Sequence, residues 1–218
     1  MGQAAEKLTV SPWYYGNDIA ALFFMASALD LKDPYTHAHA HRVAEYAKRL
    51  AVRAELPMSQ VIQITIGGML HDVGKLALSD KILSNCNAVL TEEMQREVYN
   101  HPLIGAALVQ KITCKKTIFE AVLFHHERID GSGYPFGLKA DEIPLTAKII
   151  SIADCFDAVT TDRPYQRRKS CRLAKALLID SVGTGFDSKL VSLFVKDIEV
   201  NGMVRPSDIR HITPIDCF

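Results

Sequence analysis

The chain has 218 residues, nearly half of them apolar, and its 25 Lys and Arg balance its 25 Asp and Glu. That length fills one core with room for a small appendage, and the charge balance supplies no bulk field for DNA, RNA or an anionic membrane. The five cysteines (Cys86, Cys114, Cys155, Cys171 and Cys217) are scattered with no Cys-x-x-Cys pair, the N-terminus MGQAAEKLTV lacks a signal-peptide layout, and no apolar run is long enough to span a bilayer; together these predict a soluble, cytoplasmic, reduced protein.

Helical periodicity dominates from about Asn17 to Val200, which predicts an all-α domain over 17–200, with an N-terminal extension at 1–16 and a C-terminal tail at 201–218. A first helix runs through NDIAALFFMASALDL and stops near KDPY. The second, THAHAHRVAEYAKRLAVRA, puts His39, Val43, Tyr46 and Leu50 on one face, so His39 points with the apolar side. His37 and His41 point away from it and read as surface or packing residues. SQVIQITIGGMLHDVG predicts a helix capped by Ser59 and ended by a left-handed Gly74. Further helices are expected at TEEMQREVYN, after the HP that follows it, through KTIFEAVLFHH, across PLTAKIISIADCFDAVTT and in SKLVSLFVKDIEV. Internal repeats and low-complexity linkers are absent.

Five histidines, His39, His71, His101, His125 and His126, fall at or beside helix ends on apolar faces. One such histidine is ordinarily a satisfied core residue, but five would each need partners for both ring nitrogens, and one shared metal centre is the more economical solution. Asp72 follows His71 directly, so the two diverge enough to reach adjacent metals. Asp154 sits among Ile152, Ala153 and Phe156, where a carboxylate must be paired, cation-bound or protonated. Asp157 shares its face and can approach whatever Asp154 binds. Mixed imidazole and carboxylate ligation suits Fe, Mn, Zn, Co or Ni rather than Ca or Mg. Six or seven such ligands would fill two octahedral ions bridged by one carboxylate, as in a two-metal hydrolase.

HDVGK at 71–75 resembles the signature of the HD phosphohydrolase superfamily, and HHERIDGSGYP at 125–135 resembles the extended motif of its HD-GYP branch. YTHAHAHRVAEYA, NHPLIG and IPLTAKIISIADCFDAVTTDRPYQ follow in family order, so the likeness covers almost the whole domain. The resemblance implies an HD-domain helical bundle with the GYP loop beside a metal cleft, and a bacterial signalling enzyme that hydrolyses cyclic di-GMP to pGpG or GMP by attack of a metal-bridging hydroxide. The implied metal ligands are His39, His71, Asp72, His101, His125, His126 and Asp154, with Asp72 as the bridge between two divalent ions, iron or manganese first and zinc, nickel or cobalt as alternatives. Asp72 and Lys75 are the implied catalytic pair, Lys75 as a point charge on the phosphate.

Implied substrate contacts are Lys75, Asp157, Arg163, Gln166, Gly133 and Tyr134. Tyr134 is open between stacking and packing, and Glu127 and Asp130 between orienting histidine rings and fixing the loop. Two departures matter. Gln166 stands where the family often has a basic residue, which removes one phosphate contact and leaves substrate identity open. Tyr35 stands where some members place a glutamate that holds a third metal, so two metals are expected. A non-catalytic module that binds a cyclic dinucleotide or a protein, and a hydrolase of another nucleotide such as cyclic GMP-AMP, are the competing readings; signalling partners and a homodimer stay open.

Overall fold

The computed structural model describes residues 13–32, 34–83, 90–162 and 167–205, with the side chains of 13–17, 30, 34–37, 81 and 83 outside that description. The expected all-α class holds: the elements are α1 (Trp13–Lys32), α2 (Pro34–Arg53), α3 (Met58–Leu70), a 3-10 turn (Val73–Ala77), α4 (Asp80–Leu83), α5 (Glu92–Gln110), α6 (Lys116–Phe124), α7 (Leu145–Thr160), α8 (Cys171–Asp180) and α9 (Ser188–Asn201). Among the described residues there is no strand, and no helix is long and apolar enough to cross a membrane.

The helix faces follow the apolar periodicity. Val43, Tyr46 and Leu50 of α2 are fully buried, as their spacing requires, and α2 packs on α3 and α7. Tyr46, Phe156 and Phe194 meet edge to face at 5.1–5.8 Å between ring centroids, joining α2, α7 and α9 in one core. The Tyr46 hydroxyl accepts the Val204 N–H at 3.0 Å, which satisfies the one polar atom this ring brings inside. A second cluster, with Leu22, Ile66, Leu70, Val109, Ile118 and Val122, fills the space between α1, α3, α5 and α6.

Three local expectations are corrected. Ser59 is not the cap of α3: Met58 is already helical, and the N-cap position is held by Pro57 without a side-chain bond. Gly74 is not left-handed; it is glycine because a Cβ there would overlap the His101 carbonyl, so the HD turn and α5 approach as backbones. The segment around HP is one continuous helix, α5, with Pro102 inside it. And α8, capped by the Ser170 hydroxyl accepting from Leu173 N–H, went unread although Ala174 and Leu178 give it a buried stripe at helical spacing.

At the far end of α2, Asp197 is 2% exposed and takes charge-assisted bonds from Arg49 Nε at 2.6 Å and Arg53 Nε at 2.5 Å. Removing one partner of a fully buried pair costs about 3–5 kcal/mol. Arg53 is 30% exposed and can rehydrate. Asp197→Ala should therefore cost about 2 kcal/mol and lower Tm by about 4–8 °C for a chain of this size. Thermal denaturation checks this.

Candidate metal centre

The last four carbonyls of a helix have no amide partner of their own. His71 is the C-cap of α3 and its Nδ1 lies 2.8 Å from the Gly68 carbonyl; His125 is the C-cap of α6 and its Nδ1 lies 2.9 Å from that of Val122. His101 has no such free end, being inside α5. There Pro102 lacks an N–H, the Val98 carbonyl four residues back loses its helical donor, and His101 Nδ1 takes that place at 2.5 Å. A carbonyl only accepts, so each Nδ1 must donate and each Nε2 is left as a lone pair facing inward. His39, in the middle of α2 where no carbonyl is free, uses a carboxylate instead: its Nδ1 is 2.7 Å from Asp157 Oδ2.

These rings converge on two carboxylates. Asp72 Oδ1 is 3.2 Å from His101 Nε2 and 4.0 Å from His125 Nε2, while Oδ2 is 3.4 Å from His71 Nε2. Asp154 Oδ1 is 3.2 Å from His39 Nε2 and 4.0 Å from His71 Nε2. Ligand atoms of Asp72, His101, His125 and His126 all lie within 4.8 Å of one another, as do those of His39, His71 and Asp72, so two groups share one carboxylate. All seven expected ligands are brought together. Among the described residues no hydrogen bond holds the His126 ring; Tyr134 lies face to face with it at 4.6 Å.

Protonation matches metal binding. Burial, reinforced by the neighbouring imidazoles, drives His125 well below its ordinary value and His126 down to about 3, so both present free lone pairs. Burial opposes ionisation of Asp72 and Asp154, yet Lys75 and His71 around the first and His39 around the second hold both carboxyls far below the usual range. Burial would also lower His39, but Asp154 and Asp157 raise it to about 9, which shows how strongly these carboxylates draw positive charge to this spot. Among the described residues His71 Nε2 is a buried nitrogen with no hydrogen-bond partner, an arrangement that costs free energy unless a cation takes the lone pair. The neutral His125 and His126, the ionised Asp72 and Asp154 and this orphan nitrogen fit a divalent metal.

The remaining site residues divide. Lys75 Nζ lies 2.5 Å from Asp72 Oδ2, a charge at the lip of the ligand cluster. Asp157, expected among the substrate contacts, is buried, one oxygen on His39 and the other taking Arg42 Nε at 2.6 Å, and these partners keep its carboxyl below the ordinary range although burial opposes it. Helical phase placed Asp157 beside Asp154; what it could not give is that the two grip opposite nitrogens of one imidazole. Gly133, also expected among the substrate contacts, packs against the loop's own backbone. Its Cα packs so closely on the backbone of 126–128 that a Cβ would sit 2.5 Å from the His126 carbonyl, and Tyr134 N–H donates to that same oxygen at 3.3 Å.

Tyr134 stacks rather than reaching out, and burial with the nearby Asp72 and Asp154 pushes its phenol above the ordinary range. Glu127 and Asp130 fix the loop: Glu127 accepts from Phe136 and Leu138 N–H at 2.7 and 2.9 Å, and Asp130 from Ser132. Arg163 and Gln166 lie outside the described residues, as does the Tyr35 side chain. Residues the sequence reading missed are Arg42, which anchors Asp157, and Pro102, which frees the carbonyl for His101; the adjacency of proline to histidine in NHP was the available signal.

Residues 24–190 match the model of the HD domain family. The chain belongs to that family. Among relatives, the HD domain is 37% identical over 176 residues to a Pseudomonas aeruginosa protein named cyclic di-GMP phosphodiesterase PA4108, covering 79% of this chain and 41% of that one. It is 33% identical to 3'3'-cGAMP-specific phosphodiesterase 3 of Vibrio cholerae, covering 79% and 37%, and 35% identical to a Thermotoga maritima cyclic di-GMP phosphodiesterase, covering 77% and 46%. The chain thus spans less than half the length of these relatives. In fold it superposes on the V. cholerae cyclic GMP-AMP phosphodiesterase V-cGAP3 with TM-score 0.67 at 16% identity, over 94% of this chain and 54% of that one, and on Bd1817 of Bdellovibrio bacteriovorus with TM-score 0.62 at 21% identity, over 75% and 52%.

Proposed function

We propose that this HD domain is a phosphodiesterase that opens cyclic di-GMP to pGpG or GMP at a two-metal centre, with iron or manganese as the first choices of metal. The observation that carries it is the pair of ligand groups joined through Asp72, one oxygen toward His101 and His125 and the other toward His71. One group would be completed by His126 and the other by His39 and Asp154. When bound, the metals supply the acidity that makes water a nucleophile and offset charge on the phosphoryl oxygens.

The chain's own residues set the geometry. Water adds to phosphorus as the P–O3′ bond breaks, and its proton ends on the leaving 3′-oxygen. Lys75, tethered to Asp72, places a positive charge where the phosphate must lie. Gly68, Val98 and Val122 carbonyls and the Asp157 carboxylate keep four rings from turning their Nε2 atoms away. Glu127 ties the loop that presses Tyr134 onto His126.

The names of the relatives support a cyclic dinucleotide substrate, and two nucleotides are in play because relatives of similar identity are named for each. We place cyclic di-GMP first. Metal-loaded protein incubated with cyclic di-GMP and, separately, 3′3′-cyclic GMP-AMP should release pGpG or GMP from the first at the greater kcat/KM. Faster turnover of the second would reassign the substrate, and binding of either without turnover would favour the non-catalytic reading.

A further inference from the structure

The Tyr134 ring is covered on two sides. On one face is His126 at 4.6 Å and 24°, and Tyr99 of α5 stacks on it at 4.4 Å and 20°. The three rings form a column that starts at an expected metal ligand and ends, two ring spacings out, at Tyr99. Tyr99 is 53% exposed, and its stack on Tyr134 is its one ring contact among the described residues. Tyr99 lies two residues before His101 on the same helix, and one turn further on Leu103 is also exposed. A half-exposed tyrosine fixed flat by a stack beneath it presents a preoriented π face toward solvent.

We propose that Tyr99 is a substrate-positioning residue whose outer face stacks one purine base of a cyclic dinucleotide while the phosphodiester lies at the metal centre. The proposal rests on the phosphodiesterase reading. The physical case is one of reach and chemistry. Phosphates are drawn to the metals and Lys75, whereas the bases are flat, weakly hydrated on their faces and attached within one nucleotide of the scissile phosphorus. Aromatic rings bind such faces without reading the base edge. Because Tyr134 and His126 lie beneath, Tyr99 is held without spending side-chain freedom on binding. The same column explains a cost: an aromatic left half-exposed beside the cleft gains little for folding but is available to a ligand.

Tyr99→Ala, Tyr99→Leu and Tyr99→Phe should be assayed on cyclic di-GMP with metal content measured for each. The expected result is a KM raised about tenfold or more in the Ala and Leu variants, the scale of one lost base stack, with kcat and metal content within twofold of wild type and Phe behaving as wild type. Leu keeps apolar cover on Tyr134 but has no π face, so it separates stacking from packing. An unchanged KM in all three would overturn the assignment. So would loss of metal in the Ala and Leu variants together, which would make Tyr99 a prop for Tyr134 and His126. Wild type that neither binds nor hydrolyses a cyclic dinucleotide would refute the parent reading, and this one with it; wild type that turns over while Tyr99→Leu is normal refutes this one alone.

Discussion

Asp154→Ala is expected to lose metal and activity together, with turnover down by several orders of magnitude, because water cannot be activated without the ions. Asp154 Oδ1 stands 3.2 Å from His39 Nε2 and 4.0 Å from His71 Nε2, and it is the carboxylate that would complete their group beyond the shared Asp72. The protein should stay folded. Asp154 lies on α7 with its side chain 19% exposed, alanine favours the helix there, and the lost contact to His39 costs about 2 kcal/mol because water can reach the place it leaves. A cooperative transition with Tm lowered by no more than about 4–8 °C relative to metal-free wild type would accompany the lost activity, which separates ligand loss from unfolding. His126→Ala should behave alike in metal content. Full activity from a metal-free wild type would contradict both.

Lys75→Ala separates catalysis from assembly. The Lys75 ammonium competes with any cation for Asp72 Oδ2, at 2.5 Å, so its removal should leave metal content intact. Turnover should fall about 10²-fold, the range measured for removing one preorganised donor from developing transition-state charge. Metal analysis and steady-state kinetics on the same preparation test this, and a wild-type rate would mean that Lys75 serves only to neutralise Asp72.

The seven candidate ligands were legible because histidines and acids on apolar helix faces have few other physical excuses, and motif order then joined segments far apart in the chain. Depth and direction were not legible. Asp157 reads from helical phase as a neighbour of Asp154, but only packing of α7 on α2 shows that it closes on His39 and Arg42. Proline in a helix normally signals a break; α5 continues through Pro102 because the bond the proline forfeits is replaced by one from His101. Gly74 reads from sequence as a left-handed helix end, whereas its reason is the close approach of the His101 backbone, a tertiary fact. The α8 helix is short, ten residues with only Ala174 and Leu178 buried, so its apolar signal is weak beyond the Ser170 cap.

The proposed sharing of Asp72 between two ions is tested most directly by anomalous diffraction from crystals of metal-loaded protein. The expected map has two strong peaks per chain, one within ligand distance of His101, His125 and His126, the other of His39, His71 and Asp154, each touching a different oxygen of Asp72. One peak alone, or a pair that leaves Asp72 unliganded, would contradict it.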